Sequence, residues 1–573
     1  MGTSVGATGT TATGLNLGIS GVNSGLDTNS IVQKLVSLRQ QATNVIVSKQ
    51  QTTQQQLTSF QNLQSQLQTF SSVATTLTTQ DQFLSTQGAF SNNNATAQNT
   101  VMNVVTSGQA TSGTYSLVVN SLAKATQLVS QGFTDINTPI SQGTFQLTVG
   151  NTTTNITINS TNNTLEGLRS AINNSGANVT ASYVNDGSSN PIRLVIAGTK
   201  TGAANNVTAQ LLVSNFGAGP VNLMPFTQTQ SAQDATMVVN GISVTKSSNT
   251  INDIITGATL NLQSTGSGAL TISTNTSAIA TKINSFITGY NNVMTYLNQL
   301  LAVNPDNTTG VLFGNSAVED IQNQIRDAVT NPIAAVKGPY SFLSQIGITT
   351  QSDGTLSLDT GALNTALTAN VQNVSQLFAS TGSTSNAGVA YIGMTSATTG
   401  GTYDLQVSGG IPQLSPTGQK TFTNAVGSGN FFSGATGTPE SGLNFRINAA
   451  TDGSYGTITQ TVGVADLVNR ILTNETDLSL NGPLATEIST ARQTIADDQA
   501  SIDAQNAQIS TYQHSLLAQF SNMEVVIGNL KTQASAFSNA LAGIQATSPT
   551  PSSSTSTPSV PSSSSSTTST TGA

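Results

Sequence analysis

The chain has 573 residues, and only 7% of them are charged, against roughly 25% in an average soluble protein. Its 16 basic and 24 acidic residues leave a net charge of −8, and the basic ones form no stripe of the kind a nucleic-acid surface needs. The absence of cysteine excludes disulfides, thiolate chemistry and cysteine-based zinc sites.

Hydrophobic residues make up 36% and aromatic ones 5%, with no Trp. Thr, Ser, Asn, Gln and Gly fill the gap, so solubility rests on uncharged polar groups. The length predicts several domains. The stretch from Met1 to Asn16 has neither a basic n-region nor an apolar h-region, so no secretory signal peptide is expected there. No apolar run approaches the ~20 residues of a membrane span. Export, on this reading, uses a leaderless route.

Residues 1–18 are Gly/Thr-rich and are expected to be disordered. Asp27 or Thr28 then offers an N-cap for a helix starting before Ile31. Ile31, Leu35, Leu38, Ala42 and Val45 step by 4 and 3, a narrow stripe of coiled-coil type. The stripe stops at the polar Lys49–Gln56 stretch, which reads as a register break or a joint, and resumes at Phe60, Leu63, Leu67, Phe70, Ala74 and Leu77.

Residues 100–272 carry strand chemistry, at Thr114–Val119, Thr144–Val149, Ile192–Ile196 and Met237–Val244, with one short helix near Leu165–Ile172. Helical spacing returns at 277–301, at Ala317–Val329 and at Leu363–Phe378, with a hairpin at 347–358 between the last two. Residues 380–460 are again strand-like. Within them Gly401-Thr402-Tyr403-Asp404-Leu405-Gln406-Val407 echoes Gly113-Thr114-Tyr115-Ser116-Leu117-Val118-Val119, a short hint of a repeated β-module.

Near the C-terminus Ile488, Ile495, Ile502, Ile509, Leu516, Met523, Leu530 and Phe537 recur every seven residues. A helix keeps so strict a repeat on one face when it winds around a partner. Phe520, Ile527, Ala534 and Leu541 add a second row in the last half, whereas polar companions such as Asp498 and Gln505 thin the seam in the first. The Ser/Thr/Pro tail from Thr547 is expected to be disordered.

The expected fold class is α+β multidomain. Long terminal α-helices form a coiled-coil or helical-bundle stalk, and a β-rich head is inserted between them. The expected boundaries are a leg helix at 19–46, helical trunk at 47–99, 273–379 and 463–500, and a head of about two subdomains at 100–272. A β-rich insertion at 380–462 and a second leg helix at 501–546 precede the tail at 547–573.

Candidate chemistry is sparse. His514 stands alone in a helical stretch, so it cannot build a His-based metal cluster, and it reads as an ordinary helix histidine. Neighbours on a helix point about 100° apart, so Asp497-Asp498 and Glu319-Asp320 do not converge and read as solvated helix faces. Asp306-Asn307-Thr308-Thr309-Gly310 lacks the later Glu of a calcium loop and reads as a turn. Gly427-Ser428-Gly429 lacks the dinucleotide glycine spacing and reads as a loop. No cofactor, metal site or enzymatic activity is expected.

Ser24-Gly25-Leu26-Asp27-Thr28-Asn29-Ser30-Ile31-Val32 resembles the N-terminal signature of the flagellar hook-associated protein 2 family, the filament cap. Gly113–Val119 with Leu122–Thr126, Thr164–Asn173, Thr201–Asn205, Asn240-Gly241, Ser248–Thr250 and Gly257–Leu260 resemble its head in the same order. Ile346–Ile348 with Asp353–Leu356 resembles its hairpin, and Leu516–Phe520 with Met523 resembles its terminal helix. Residues of about 387–460 and the tail depart from the family as extra segments.

The resemblance implies a secreted structural cap at the distal tip of the growing filament, where it helps exported flagellin fold and insert and prevents its loss. It implies a homo-oligomeric ring, commonly a pentamer in the family. The implied partners are flagellin, the filament tip, other hook-associated proteins and an export chaperone, with export by the flagellar type III route. Self-association or filament contact is then expected of the seams: Ile31, Leu35 and Leu38, with Ile488, Ile495, Ile502, Ile509, Leu516, Phe520, Met523, Ile527, Leu530, Phe537 and Leu541. Two other readings remain. One is a different axial protein, such as a hook–filament junction protein or a flagellin. The other is a leaderless adhesin binding host glycans.

Overall fold

A computed structural model describes residues 23–93, 100–215, 219–222, 224–306, 308–448, 450–477, 479 and 482–545. The stretches expected to be disordered, 1–18 and 547–573, lie outside the described residues. The chain divides into two compact units: residues up to Leu57 with those from Ser489 onward, and Thr58–Ile488.

Helix α1 (Thr28–Thr75) runs without interruption through the polar Lys49–Gln56 stretch. Gln and Thr side chains there weaken the apolar seam but not the backbone helix. A short α2 (Gln80–Phe83) leads into β1 (Thr86–Asn92), β2 (Met102–Thr106) and β3 (Gly113–Ser121). Residues 86–92 were expected in the helical trunk, but they form a strand that pairs antiparallel with residues 268–274.

A subdomain follows: β4 (Gln127–Phe133), β5 (Gly143–Val149), β6 (Thr152–Ile158), α3 (Leu165–Asn173), β7 (Val179–Asn185), β8 (Ile192–Gly198), β9 (Val207–Asn215), β10 (Gly219–Asn222) and β11 (Phe226–Gln230). The chain then returns through β12 (Ala235–Val239), β13 (Ile242–Lys246), β14 (Thr250–Ile255), β15 (Ala258–Leu262) and β16 (Gly266–Thr274). Met237–Val244, read as one strand, is a hairpin. Asn240 and Gly241 sit at φ 48° and 85°, the paired left-handed turn that Asn-Gly favours.

The first module stacks β1-β16-β3-β12-β13 on β14-β15-β2. Its core holds Leu117, Val119, Met237, Leu260, Leu270 and Ile272. The subdomain has sheets β10-β9-β5-β6 and β11-β4-β8-β7. It encloses a core of its own around Phe145, Leu147, Leu168 and Ile196.

Next come α4 (Thr276–Leu300), α5 (Ser316–Thr330), β17 (Ile348–Thr350), β18 (Leu356–Leu358), α6 (Thr360–Ala369) and α7 (Val371–Phe378). Leu363–Phe378, read as one helix, breaks at Asn370, whose extended backbone (φ −165°) lets its side chain cap Asn373 N–H. The second β-module comprises β19 (Thr381–Thr384), β20 (Val389–Gly393), β21 (Gly401–Ser408), β22 (Ile411–Pro416), β23 (Thr423–Asn424), β24 (Val426–Ser428), β25 (Phe431–Ser433), β26 (Asn444–Ile447) and β27 (Gly453–Thr461). Its sheets are β19-β27-β21-β22-β23 and β20-β26-β25-β24. Helices α8 (Val464–Thr476) and α9 (Pro483–Gln545) follow.

Aromatic rings hold the helical part of Thr58–Ile488 together. Phe70 meets Phe286 at 5.2 Å and Tyr290 at 6.3 Å, and Phe378 meets both Phe286 and Phe83. Glu475, near the end of α8, is the exception in this interior. It is buried, and its Oε2 has no hydrogen-bond partner among the described residues. Burial raises its carboxyl pKa and nearby Asp320 adds to the rise, against the Leu484 N–H that binds it. A raised carboxyl pKa favours the fold below the unfolded-state value and loses that contribution as pH climbs through the folded value. Glu475→Gln is therefore expected to add about 1 kcal/mol of stability at pH 8 and nothing at pH 4, measured by denaturant unfolding.

Candidate functional site

In the terminal unit α1 and α9 lie antiparallel, and their contacts define one register. Lys49 Nζ donates to Asp498 Oδ1 at 3.0 Å, Thr43 Oγ1 to Gln505 Oε1 at 2.8 Å, and Gln50 Nε2 to the Ile495 carbonyl at 3.1 Å. Arg39 lies 4.1 Å from the centre of the Tyr512 ring, in cation–π geometry. Val32, Val36 and Ile509 form a small buried core with Leu516, Leu517 and Phe520 against it. Asp497-Asp498 was expected to be a solvated pair, but only Asp497 faces out, because Lys49 draws Asp498 into the seam.

The Ser24–Asn29 motif closes this pair as a strap. Glu524 Oε2 accepts from the Asn23 and Ser24 N–H groups at 3.1 and 3.2 Å, and Oε1 accepts from the Ser24 hydroxyl. Glu524 is thereby only 1% exposed. The Ser24 hydroxyl and the two N–H groups hold its carboxyl below the usual carboxylate range, against the opposing effect of burial. Gly25 takes φ 74°, which a side chain would oppose. A Cβ on Gly528 would sit 2.7 Å from Asn23 Nδ2, so this glycine admits the strap close to α9. Asp27 Oδ1 accepts from Ser30 N–H at 3.0 Å and caps α1. Thr28 is buried, whereas Leu26 and Asn29 are exposed.

The seam residues fall into three groups. Ile488, Ile502 and Ile509 are buried. Ile495, Leu516, Phe520, Met523 and Ile527 are half-buried. Leu530, Phe537 and Leu541 are 59%, 72% and 50% exposed. Every residue from 529 to 543 is exposed. On α1 the row Ile31, Leu35, Leu38 and Val45 is exposed as well, because α1 turns Val32 and Val36 to α9 instead. Two apolar helix rows thus have no cover among the described residues. Such rows bind other apolar helices, at roughly 1.5–3 kcal/mol per large side chain buried.

The residues with chemical potential stay apart. His514 is exposed, and no group of three or more His, Cys, Asp or Glu converges among the described residues. Asp306 makes a turn, its Oδ1 accepting from Thr308 N–H at 3.1 Å. No helix among the described residues is long and apolar enough to cross a membrane. Sequence reasoning missed Val32, Val36 and Glu524. A polar residue next to a seam and three residues before Ile527 was the one available sign of Glu524.

Comparison with known proteins bears on most of the chain between residues 24 and 532. Residues 24–126 match the N-terminus, and 232–532 the C-terminus, of flagellar hook-associated protein 2, and 144–200 match the flagellin hook IN motif. The flagellar hook-associated protein 2 of Escherichia coli K12 is 31% identical over 386 residues, covering 63% of this chain and 80% of that protein. The B-type protein of Pseudomonas aeruginosa is 30% identical over 301 residues, which span 47% of this chain and 62% of its own length. The crystal structure of the D1-D2-D3 domains of the flagellar cap protein FliD from Escherichia coli superposes with a TM-score of 0.50 at 25% identity, over 76% of this chain and 99% of that one. The chain belongs to the flagellar hook-associated protein 2 family.

Proposed function

We infer that this protein is the structural cap at the distal tip of a bacterial flagellar filament, working by binding and conformational change and not as an enzyme. Family membership supports the reading, and the observation that carries it is the uncovered apolar row Leu530–Phe537–Leu541 beyond the strap. That row is the surface offered to the filament end, and the Ile31–Leu35–Leu38 row is the surface offered to a neighbouring copy in a closed ring. The seam between the helices is thin and polar, so the pair can yield and re-form as each exported flagellin is folded and inserted beneath it. Export through the flagellum and an export chaperone complete the proposal.

A strain whose copy lacks residues 529–545 tests it. The described part of this segment contributes no buried residue, so the truncated protein is expected to fold and be secreted. Filaments should fail to elongate, and flagellin should accumulate in the medium. Filaments of normal length would sink the reading.

A further inference from the structure

The β-module at 381–461 contains the residues of about 387–460 that were expected to be extra, and its strands repeat the first module in order and direction. In the first module β1 pairs β16, β16 pairs β3, β3 pairs β12 and β12 pairs β13, all antiparallel. In the second, β19 pairs β27, β27 pairs β21, β21 pairs β22 and β22 pairs β23, all antiparallel. The facing sheets agree too: β2 pairs β15, which pairs β14, and β20 pairs β26, which pairs β25. Only β24 has no counterpart.

Side chains outside the strand pattern repeat as well. Tyr115 and Tyr403 are each the third residue of their strand, after Gly-Thr. Each hydroxyl donates to the carbonyl four residues upstream, Thr111 at 3.3 Å and Thr399 at 2.7 Å. Phe83 and Phe378 each stand three residues before the first strand, and they stack on one another at 5.8 Å. The helix after each module carries a cation at its seventh residue, Lys282 and Arg470, although their carbonyl partners differ in place: Gln82 before β1 at 2.5 Å for Lys282, and Ser396 at 2.9 Å and Thr398 at 2.7 Å between β20 and β21 for Arg470. Independent selection of one sandwich topology would not reproduce these details together.

The copies differ at one hairpin. In the first, β3 runs on to β12 through residues 122–234, which include the subdomain, and its ends meet at the Lys124–Gln233 bridge. In the second, β21 turns into β22 through Gly409 and Gly410, both at left-handed φ. Asp452 accepts from both of their N–H groups at 3.0 and 2.8 Å and braces the turn. We propose that residues 371–476 are a second copy of the module carried by 80–300, and that its Gly409–Gly410 corner is a carrier site able to bear a folded subdomain whose ends lie side by side. The first copy shows the cargo class: a subdomain with its own core, joined by two neighbouring strands. The proposal does not depend on the cap reading.

The test uses the full chain. In one variant residues 125–232 are replaced by Gly-Gly, closing the first copy as the second is closed. In another, a further copy of 125–232 is inserted between Gly409 and Gly410. Both are expected to keep the cooperative transition of Thr58–Ile488 within about 5 °C of the parent in calorimetry. The same insertion at Gly429–Asn430, a turn of β24–β25 with no counterpart in the first copy, is the control. Its flanking strands are three residues each and should fray, lowering the transition further. Loss of the transition at Gly409–Gly410, or equal tolerance at Gly429–Asn430, overturns the carrier site. Loss of it in the Gly-Gly closure overturns the duplication.

Discussion

The double substitution Leu530→Asp with Phe537→Asp is expected to abolish filament elongation while leaving thermal unfolding unchanged. Both side chains are more than half exposed and touch no core, so placing carboxylates there falls among surface changes, usually within ±0.5 kcal/mol. The effect appears when the row meets a partner. Burying two unpaired carboxylates in an apolar contact forfeits the gain of two large side chains and adds desolvation of several kcal/mol. Secreted flagellin in the medium and filament length by electron microscopy read the outcome. Conservative Leu530→Met with Phe537→Leu should restore growth, since an apolar helix contact tolerates similar volumes. Growth of the Asp variant at the parental rate would show that this face is not the contact.

How much of this was legible in the sequence depends on the residue. The α9 row was legible because eight apolar residues stand seven positions apart in succession, and no other arrangement explains that period. The α1 row was harder. Ile31, Leu35 and Leu38 form the more apolar stripe, yet the face packed on α9 starts at Val32 and Val36 and continues through Thr43 and Gln50. Hydrophobicity alone selects the stripe that stays bare, because the covered one is completed by hydrogen bonds. Most strands were legible from Thr/Val/Tyr alternation, whereas the Met237–Val244 hairpin and the Asn370 break were not. In both, one or two residues redirect the backbone inside an apolar run, and the run masks them. The module repeat was audible only as Gly-Thr-Tyr, since the remaining strands share topology and not side chains.

Glu524 was illegible for another reason: its partners stand 500 residues earlier in the chain. Glu524→Ala removes the acceptor for two N–H groups and the Ser24 hydroxyl, and the strap has few other bonds to α9. Cleavage within residues 23–27 by a limiting protease is expected to accelerate at least about tenfold, the equilibrium equivalent of losing one charge-assisted hydrogen bond. The transition of Thr58–Ile488 should not move. Acid should mimic the substitution. A carboxyl with a lowered folded pKa supports the strap fully above its unfolded value of 4.5 and loses that support as pH falls through the lower folded value. Strap protection measured by amide exchange should therefore hold at pH 6 and fade below pH 4, and the pH dependence should vanish in Glu524→Gln. Ser24→Ala, which spares both N–H donors, should give an intermediate rate. If Glu524→Ala leaves cleavage at 23–27 unchanged, the motif's first residues are held by something other than this carboxylate, and the strap does not mark where pairing within the chain ends and the bare helix face begins.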